Sequence, residues 1–413
     1  MGERALDLRP QEKRPEFSPR DPKAPAPSGR SRWLMGLGPL VLLALLVVAF
    51  IQFGPVGVFR GAFPPVEELT IERVTIPEPN ELRVHVTNGG PEPVTIAQLL
   101  VDEASWVHEV YGGRTIPRLG SRTIRVPYPW VEGEPLAITI VTRNGVTFTA
   151  DVPVATRTPA PNARYLSTFA LLGIYAGVIP VFLGLLWLPF LRTISREWMG
   201  FFLSLTIGLL VFLGVDALFE GFEVAGLVPG AFNGLGLLLI GAVATPLAIA
   251  ALGRWKGQRS GVQSAMWIAM LVAIGIGLHN LGEGLVIGAA YASGEIALGT
   301  FLVIGFLIHN TTEGLGIVAP IASERPSLGQ LAMLGAIAGV PTVLGAWVGG
   351  FTYSPVWTTL FFAIGAGAIA QVVVELGRLL RRDGRPGLTA PLNVVGLVAG
   401  LAIMYVTGLV VPA

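Results

Sequence analysis

From Tyr165 to Ala413 the sequence is a succession of apolar runs separated by short polar joints. Each run holds roughly 20 residues or more, enough to cross a hydrocarbon core of about 30 Å at 1.5 Å per residue. Few folds are open to such a chain. In lipid every backbone N–H and C=O must be bonded internally, so runs of this length and composition are expected as helices. Composition agrees: 52% of the 413 residues are hydrophobic and only 13% are charged, where a soluble globular chain carries about 25% charged residues. The 53 glycines suit membrane helices that pack through small residues. There is no cysteine, which excludes disulfides and thiolate metal sites.

Ahead of these runs the chain changes character twice. Residues 1–32 are rich in Pro, Arg and Lys, lack hydrophobic periodicity and are expected to form a disordered cytoplasmic tail. Residues 33–53 form an apolar run longer than the 7–15 residues of a signal-peptide core, with no small-x-small cleavage site after it. They read as a retained transmembrane anchor, its N-terminal end held in the cytoplasm by Arg30 and Arg32. Residues 61–160 carry alternating, β-branched stretches at Leu69–Ile76, Glu81–Thr87, Val94–Val101, Thr123–Tyr128 and Leu136–Thr142. Asn144-Gly145 is a hairpin signal, and the spacing of turns predicts a small all-β sandwich. Following one crossing, that domain is expected outside the cytoplasm. Its His85 and His108 stand 23 apart on separate segments and form no ligand pattern.

The apolar runs predict eight further helices, at about 165–191, 199–219, 232–252, 264–292, 296–322, 328–350, 357–380 and 388–411. Basic residues test that count. Arg192 and Arg196 join the first pair, Arg254, Lys256 and Arg259 the third and fourth, Arg325 the fifth and sixth, and Arg378, Arg381, Arg382 and Arg385 the last two. The alternate joints, near Gly226, Gly294 and Ser354, carry none. Positive charge collects on the cytoplasmic side. The expected topology is therefore nine crossings of the cell membrane, with the N-terminus inside and the C-terminus outside.

Of four histidines, two lie in mid-helix with the same neighbours: His279-Asn280-Leu281-Gly282-Glu283-Gly284 and His309-Asn310-Thr311-Thr312-Glu313-Gly314. Histidine and glutamate four apart share a helix face. For a hairpin centred at Ile296, His279 falls level with Glu313, and Glu283 level with His309. Four side chains are then expected to converge roughly 15 residues, or about 22 Å, from the turn, near the bilayer middle. One acidic group there costs about 2.5–3.5 kcal/mol, and a divalent cation removes that penalty. Two imidazoles and two carboxylates suit zinc, iron(II), manganese, cobalt or cadmium better than Ca²⁺ or Mg²⁺. Asn280 and Asn310 add neutral oxygens as ligands or supports. Asp216, Glu220 and Glu223 recur at helical spacing near the outer end of the second helix, where they could gather cations.

At these residues the chain resembles the ZIP (zinc/iron permease) family, in particular its prokaryotic branch, over about residues 165–413. The resemblance implies an eight-helix bundle that carries zinc, iron, manganese or cadmium toward the cytoplasm, with the metal as cargo and no bound cofactor. It implies metal contacts at His279, Glu283, His309 and Glu313, and also at Asn280 and Asn310. The stretch Gly367–Glu375 is similar to the family's seventh helix and implies that Glu375 borders the path. The chain departs from the family pattern in two places. Gly282 and Thr312 stand where prolines are common, and Thr342 stands where many members have a glutamate that completes a second site. One metal per bundle is the expectation.

The function expected is alternating-access transport, not enzymatic catalysis. Two rival readings are an intramembrane zinc hydrolase and a membrane metal sensor that signals through the β domain. The partners expected are divalent metal ions and the lipid bilayer, with no role for nucleic acid. For the β domain, carrying a partner, shielding the entrance and promoting a homodimer all stay open.

Overall fold

The computed structural model describes residues 29–53, 66–257, 264–381 and 387–409. Most of the expected tail, the start of the expected β domain at 61–65, and Arg259, Arg382 and Arg385 lie outside the described residues. Helix α1 spans Gly29–Phe53, so residues 29–32, expected in the tail, belong to the helix instead. Val66–Ala413 forms a separate unit, in which a β domain meets a helical bundle.

The β domain has nine strands: β1 Leu69–Glu78, β2 Glu81–Asn88, β3 Val94–Val101, β4 Ala104–Ser105, β5 Glu109–Val110, β6 Thr115–Ile116, β7 Ser121–Val126, β8 Leu136–Thr142 and β9 Thr147–Val152. They pair antiparallel in two sheets, ordered β1-β2-β7-β5 and β4-β3-β8-β9, with β6 on β3. The alternating residues face inward from both sheets. Leu82, Val84, Ile124 and Val126 meet Ile96, Leu99, Ile138 and Ile140 in one apolar core. Strand β7 stops at Val126, two residues short of expectation, because Pro127 has no N–H to extend the ladder. The β8–β9 hairpin forms, but not through a two-residue turn. Gly145 N–H donates to the Thr142 carbonyl at 3.0 Å, and of the loop residues Gly145 alone has positive φ, at 85°. This is the longer loop built on a type I turn, closed by a left-handed glycine.

Eight helices among the described residues are long and apolar enough to cross a membrane, giving a polytopic architecture. They are α2 Ala163–Leu191, α3 Arg196–Ala225, α4 Gly234–Gly257, α5 Ala265–Ala292, α6 Ile296–Val318, α7 Leu328–Thr352, α8 Pro355–Leu380 and α9 Pro391–Gly408. Side-chain caps start several of them: Asn162 for α2, Ser195 for α3, Ser264 for α5 and Ser327 with Gln330 for α7. Helix α3 outruns its expected end at 219. Hydropathy falls at Glu220 and Glu223, but nothing breaks the helix before Gly226 and Pro229.

Glycines sort the bundle into two sets. In the first, α2, α5, α6 and α7 approach backbone to backbone. A Cβ on Gly284 of α5 would lie 2.1 Å from the Thr342 carbonyl of α7, and one on Gly184 of α2 would lie 2.1 Å from the Thr311 carbonyl of α6. In the second, α3 and α9 meet in the same way, a Cβ on Gly208 lying 2.2 Å from the Leu397 carbonyl, with α4 and α8 packed alongside. Between the sets side chains intervene at most points, although Gly365 of α8 meets the His279 backbone of α5. Gly282 faces the Phe362 ring, Gly275 faces Val372, and Gly316 faces Thr206.

The two ends of the bundle differ. The β domain contacts the joint after α3 through Glu68 and Gly230, the joint after α5 through Thr156 and Gly294, and the end of α7 through Arg73 and Phe351. These are the joints that carry no basic residue. At the opposite end, Arg192 donates to the Glu324 carbonyl at 2.8 Å, which ties two of the basic joints together. A chamber of about 570 Å³ lies between the β domain and the bundle. Its roof includes Glu72 and Asp151, and its floor includes Glu220, Glu223, Ala289 and Gly350.

Candidate metal centre

Helices α5 and α6 form the hairpin that the motif spacing demands. They turn through Ser293, Gly294 and Glu295, and Gly294 takes φ +81°, a conformation that glycine adopts without strain. The turn places His279 and Glu283 of α5 against His309 of α6. All three are buried, with 4%, 2% and 8% exposure. Both imidazoles donate to one carboxylate oxygen: His279 Nε2 reaches Glu283 Oε1 at 3.1 Å and His309 Nε2 reaches it at 2.6 Å. One ligand atom from each of the three falls within 4.8 Å of the others. Around a tetrahedral ion with bonds of about 2.0–2.2 Å, ligand atoms stand about 3.3–3.6 Å apart. The two imidazole–carboxylate pairs, at 3.1 and 2.6 Å, therefore need to spread by roughly an ångström or less to hold one.

The asparagines brace this cluster. Asn310 Nδ2 donates to Glu283 Oε2 and to the Ala176 carbonyl of α2, both at 2.9 Å. Pro180, four residues after Ala176, has no N–H to close the helix bond to that carbonyl. The helix responds with a π turn over Ile174–Val178, and Asn310 takes the freed oxygen. Asn280 Nδ2 donates to the Ala338 carbonyl of α7, the helix that carries Pro341, at 3.1 Å. Ala176 is a site-supporting group that a reading of side chains passes over, although Pro180 signals it. The Oδ1 atoms of Asn280 and Asn310 are buried without a hydrogen-bond partner, as is His279 Nδ1.

Glu313 does not join the three. Equal distance from the turn sets depth, but helix rotation and crossing set facing. With His309 turned to Glu283, Glu313 one turn further on faces a void of about 10 Å³ beside Thr206 and Leu210 of α3, Ile276 of α5 and Met404 of α9. It is 3% exposed and neither of its oxygens has a hydrogen-bond partner. Asn280 is a polar neighbour, and Glu283 stands within electrostatic reach. Thr342 packs its hydroxyl against Gly177 of α2, also without a hydrogen-bond partner.

The three acidic residues of α3 form a line. Glu223 and Glu220 face the chamber, while Asp216 lies within electrostatic reach of His279, His309 and Glu283. From Glu223 to Asp216 is about 10 Å along the helix. Glu375 stands apart. Gly365 on the same helix touches the His279 backbone, and Glu375 is ten residues beyond it, about 15 Å along the axis. Its carboxylate accepts from Gln371 Nε2 at 2.9 Å and from Arg378 Nη1 at 2.7 Å.

The β-domain histidines have structural partners. His85 lies between Thr75 and Thr123 hydroxyls at 3.0 and 3.2 Å, and His108 Nδ1 donates to the Trp106 carbonyl at 3.2 Å. Burial, together with the positive charges of Arg73 and Arg83, pushes the His85 imidazole down to about 4. No protein-family model matches this chain, and no curated protein matches it.

Proposed function

We propose that the bundle carries divalent transition-metal cations across the cell membrane, zinc foremost, with iron, manganese and cadmium as further cargo. The observation that carries this reading is the buried set His279, Glu283 and His309, two nitrogens and a carboxylate with ligand atoms within 4.8 Å of one another, on two adjacent membrane-length helices. In lipid such a set is costly unless a cation is there to be bound. Nitrogen and carboxylate donors select a borderline metal over Ca²⁺ and Mg²⁺.

The path follows from the acidic line. Cations gather in the chamber at Glu223 and Glu220, pass Asp216, and shed water into the His/Glu set. Glu313, one turn deeper and unpaired, receives the ion or a proton on the way out. The seam between the two helix sets, made largely of side chains, lets one set shift against the other, so that the centre opens alternately to either side. The resemblance of both motifs to those of the zinc/iron permeases supports a ZIP-like bundle and movement toward the cytoplasm. The basic joints at the end away from the β domain support a cytoplasmic location for that end. The β domain and the C-terminus are then outside, and α1 is a membrane anchor with its N-terminus inside.

A zinc hydrolase uses three protein ligands as well, with an open fourth position. The void beside Glu313, about 10 Å³, admits a water at most and no peptide or lipid bond. That favours an ion as the occupant.

Uptake of zinc, iron(II), manganese and cadmium into proteoliposomes tests the proposal. The expected result is uptake by the wild type of at least one of these ions, and none above empty liposomes by a Glu283→Ala/Glu313→Ala protein. Equal uptake by both proteins refutes it.

A further inference from the structure

The β domain touches both helix sets across the seam that the transport cycle must shear. On one side, Glu68 Oε1 accepts from the Gly230 N–H at 2.7 Å, on the joint between α3 and α4. The approach is close enough that a Cβ on Gly230 would lie 2.3 Å from that oxygen. Glu68 belongs firmly to the β domain, because its carbonyl accepts from Gly89 and Gly90 N–H at 3.0 and 3.3 Å. On the other side, Arg73 Nη1 donates to the Phe351 carbonyl at the end of α7 at 3.2 Å. Thr156 closes on the α5–α6 turn, where a Cβ on Gly294 would lie 2.7 Å from its hydroxyl. The chain also runs from β9 through residues 153–162 into α2. The first set is thus held by two contacts and the covalent link, and the second by the Glu68–Gly230 bond. Between these attachments lies the 570 Å³ chamber, roofed by β1 and the end of β9.

We propose that the β domain is a latch: it travels with the set α2, α5, α6 and α7, and the Glu68–Gly230 contact fastens it to the other set and keeps the chamber roofed. The two sets cannot shift far while that contact persists, so its release and the opening of the mouth are one event. A carboxylate accepting from a backbone N–H is stronger than a neutral pair, yet this one is exposed. It can therefore break and reform on each cycle.

The inference rests on the two-set transport reading, but its test needs no transport. The chain has no cysteine, so a single one is a clean reporter. Ala289→Cys places it in the chamber floor, and Val131→Cys on the exposed β-domain surface serves as the control. Full-length protein in lipid nanodiscs is labelled with a bulky charged maleimide, alone and combined with Glu68→Ala or Gly230→Ala. The second variant displaces the Glu68 carboxylate while leaving the β-domain sequence intact. Both should speed labelling at Ala289→Cys about five-fold, the scale of one exposed charge-assisted hydrogen bond, with Val131→Cys unchanged. An unchanged Ala289→Cys rate in either variant, or an equal rise at Val131→Cys, overturns the latch. Metal uptake by the wild type is judged separately, so the transport reading can stand where the latch falls.

Discussion

The β domain and the helical bundle each bury polar side chains, and they treat them in opposite ways. In the β domain Asn88 is fully buried, yet its Nδ2 donates to the Glu92 and Ile116 carbonyls and its Oδ1 accepts from Gly90 N–H. Thr87 bonds Glu72 and Ser121, and His85 sits between two threonines. Around these groups the core is aliphatic, and these polar atoms are used up in fixing the fold, with His108 Nε2 and Arg122 Nε as exceptions. In the bundle, Glu313, Asn280 Oδ1, Asn310 Oδ1, His279 Nδ1 and Thr342, on or beside the two His-Asn motifs, are buried without hydrogen-bond partners, as are the Ser204 and Thr359 hydroxyls elsewhere on α3 and α8. A buried polar group left unpaired costs about 1–3 kcal/mol. That cost is borne most densely around the α5–α6 motifs, where a bound cation would offset it.

This contrast can be broken at several points. The largest expected effect lies in the β core. Ile138→Ala removes a fully buried side chain between the sheets and should destabilise that domain by about 2–5 kcal/mol. Metal affinity measured on the intact protein at low temperature should be unchanged. A matching fall in affinity would mean that the two regions are not energetically separable.

A smaller effect is expected from Asn310→Ala. The substitution leaves the Ala176 carbonyl and one oxygen of Glu283 without their shared donor. Losing a group that orients a ligand typically weakens binding about 10–100-fold. Calorimetric zinc titration should show a loss on that scale. An unaltered affinity would return Asn310 to simple helix packing.

The smallest effect concerns pH and His85. Its folded imidazole titrates at about 4 against 6.5 for the free group. The folded state therefore disfavours the proton that the unfolded chain accepts. Stability is complete above 6.5 and declines as pH falls from 6.5 toward 4. The melting temperature of the β domain should drop over that window, and His85→Gln should flatten the drop. A slope unchanged by that substitution would assign it to other groups, such as Glu81, whose carboxylate is held low by Arg125 and Arg83.

Much of this architecture is legible in the sequence, because periodicity carries it. Alternation in Glu81–Thr87 and Leu136–Thr142 marks strands whether or not their partners are known. Apolar length marks the helices, and the repeated His-Asn-x-x-Glu-Gly marks where chemistry lies. Pairing of His309 with Glu283 follows from their equal distance to a hairpin centre at Ile296, beside the Gly294 turn. What sequence spacing cannot supply is rotation about a helix axis. It therefore brings Glu313 into the cluster, whereas the fold turns it toward Thr206 and Met404. Nor does spacing reveal groups supplied by the backbone: the Ala176 carbonyl matters only because Pro180 frees it and α2 happens to lie beside Asn310. The chamber is illegible for the same reason, since its roof and floor come from segments far apart in the chain, such as Glu72 and Glu220.

On the proposed function, the polar cluster binds a divalent ion in passage. Anomalous X-ray diffraction at the zinc edge, from protein equilibrated with zinc at neutral pH, tests it most directly. One strong peak is expected in contact with His279, Glu283 and His309, absent in Glu283→Ala. Zinc bound only elsewhere, or a triad that keeps its direct imidazole–carboxylate hydrogen bonds at saturating metal, would contradict it.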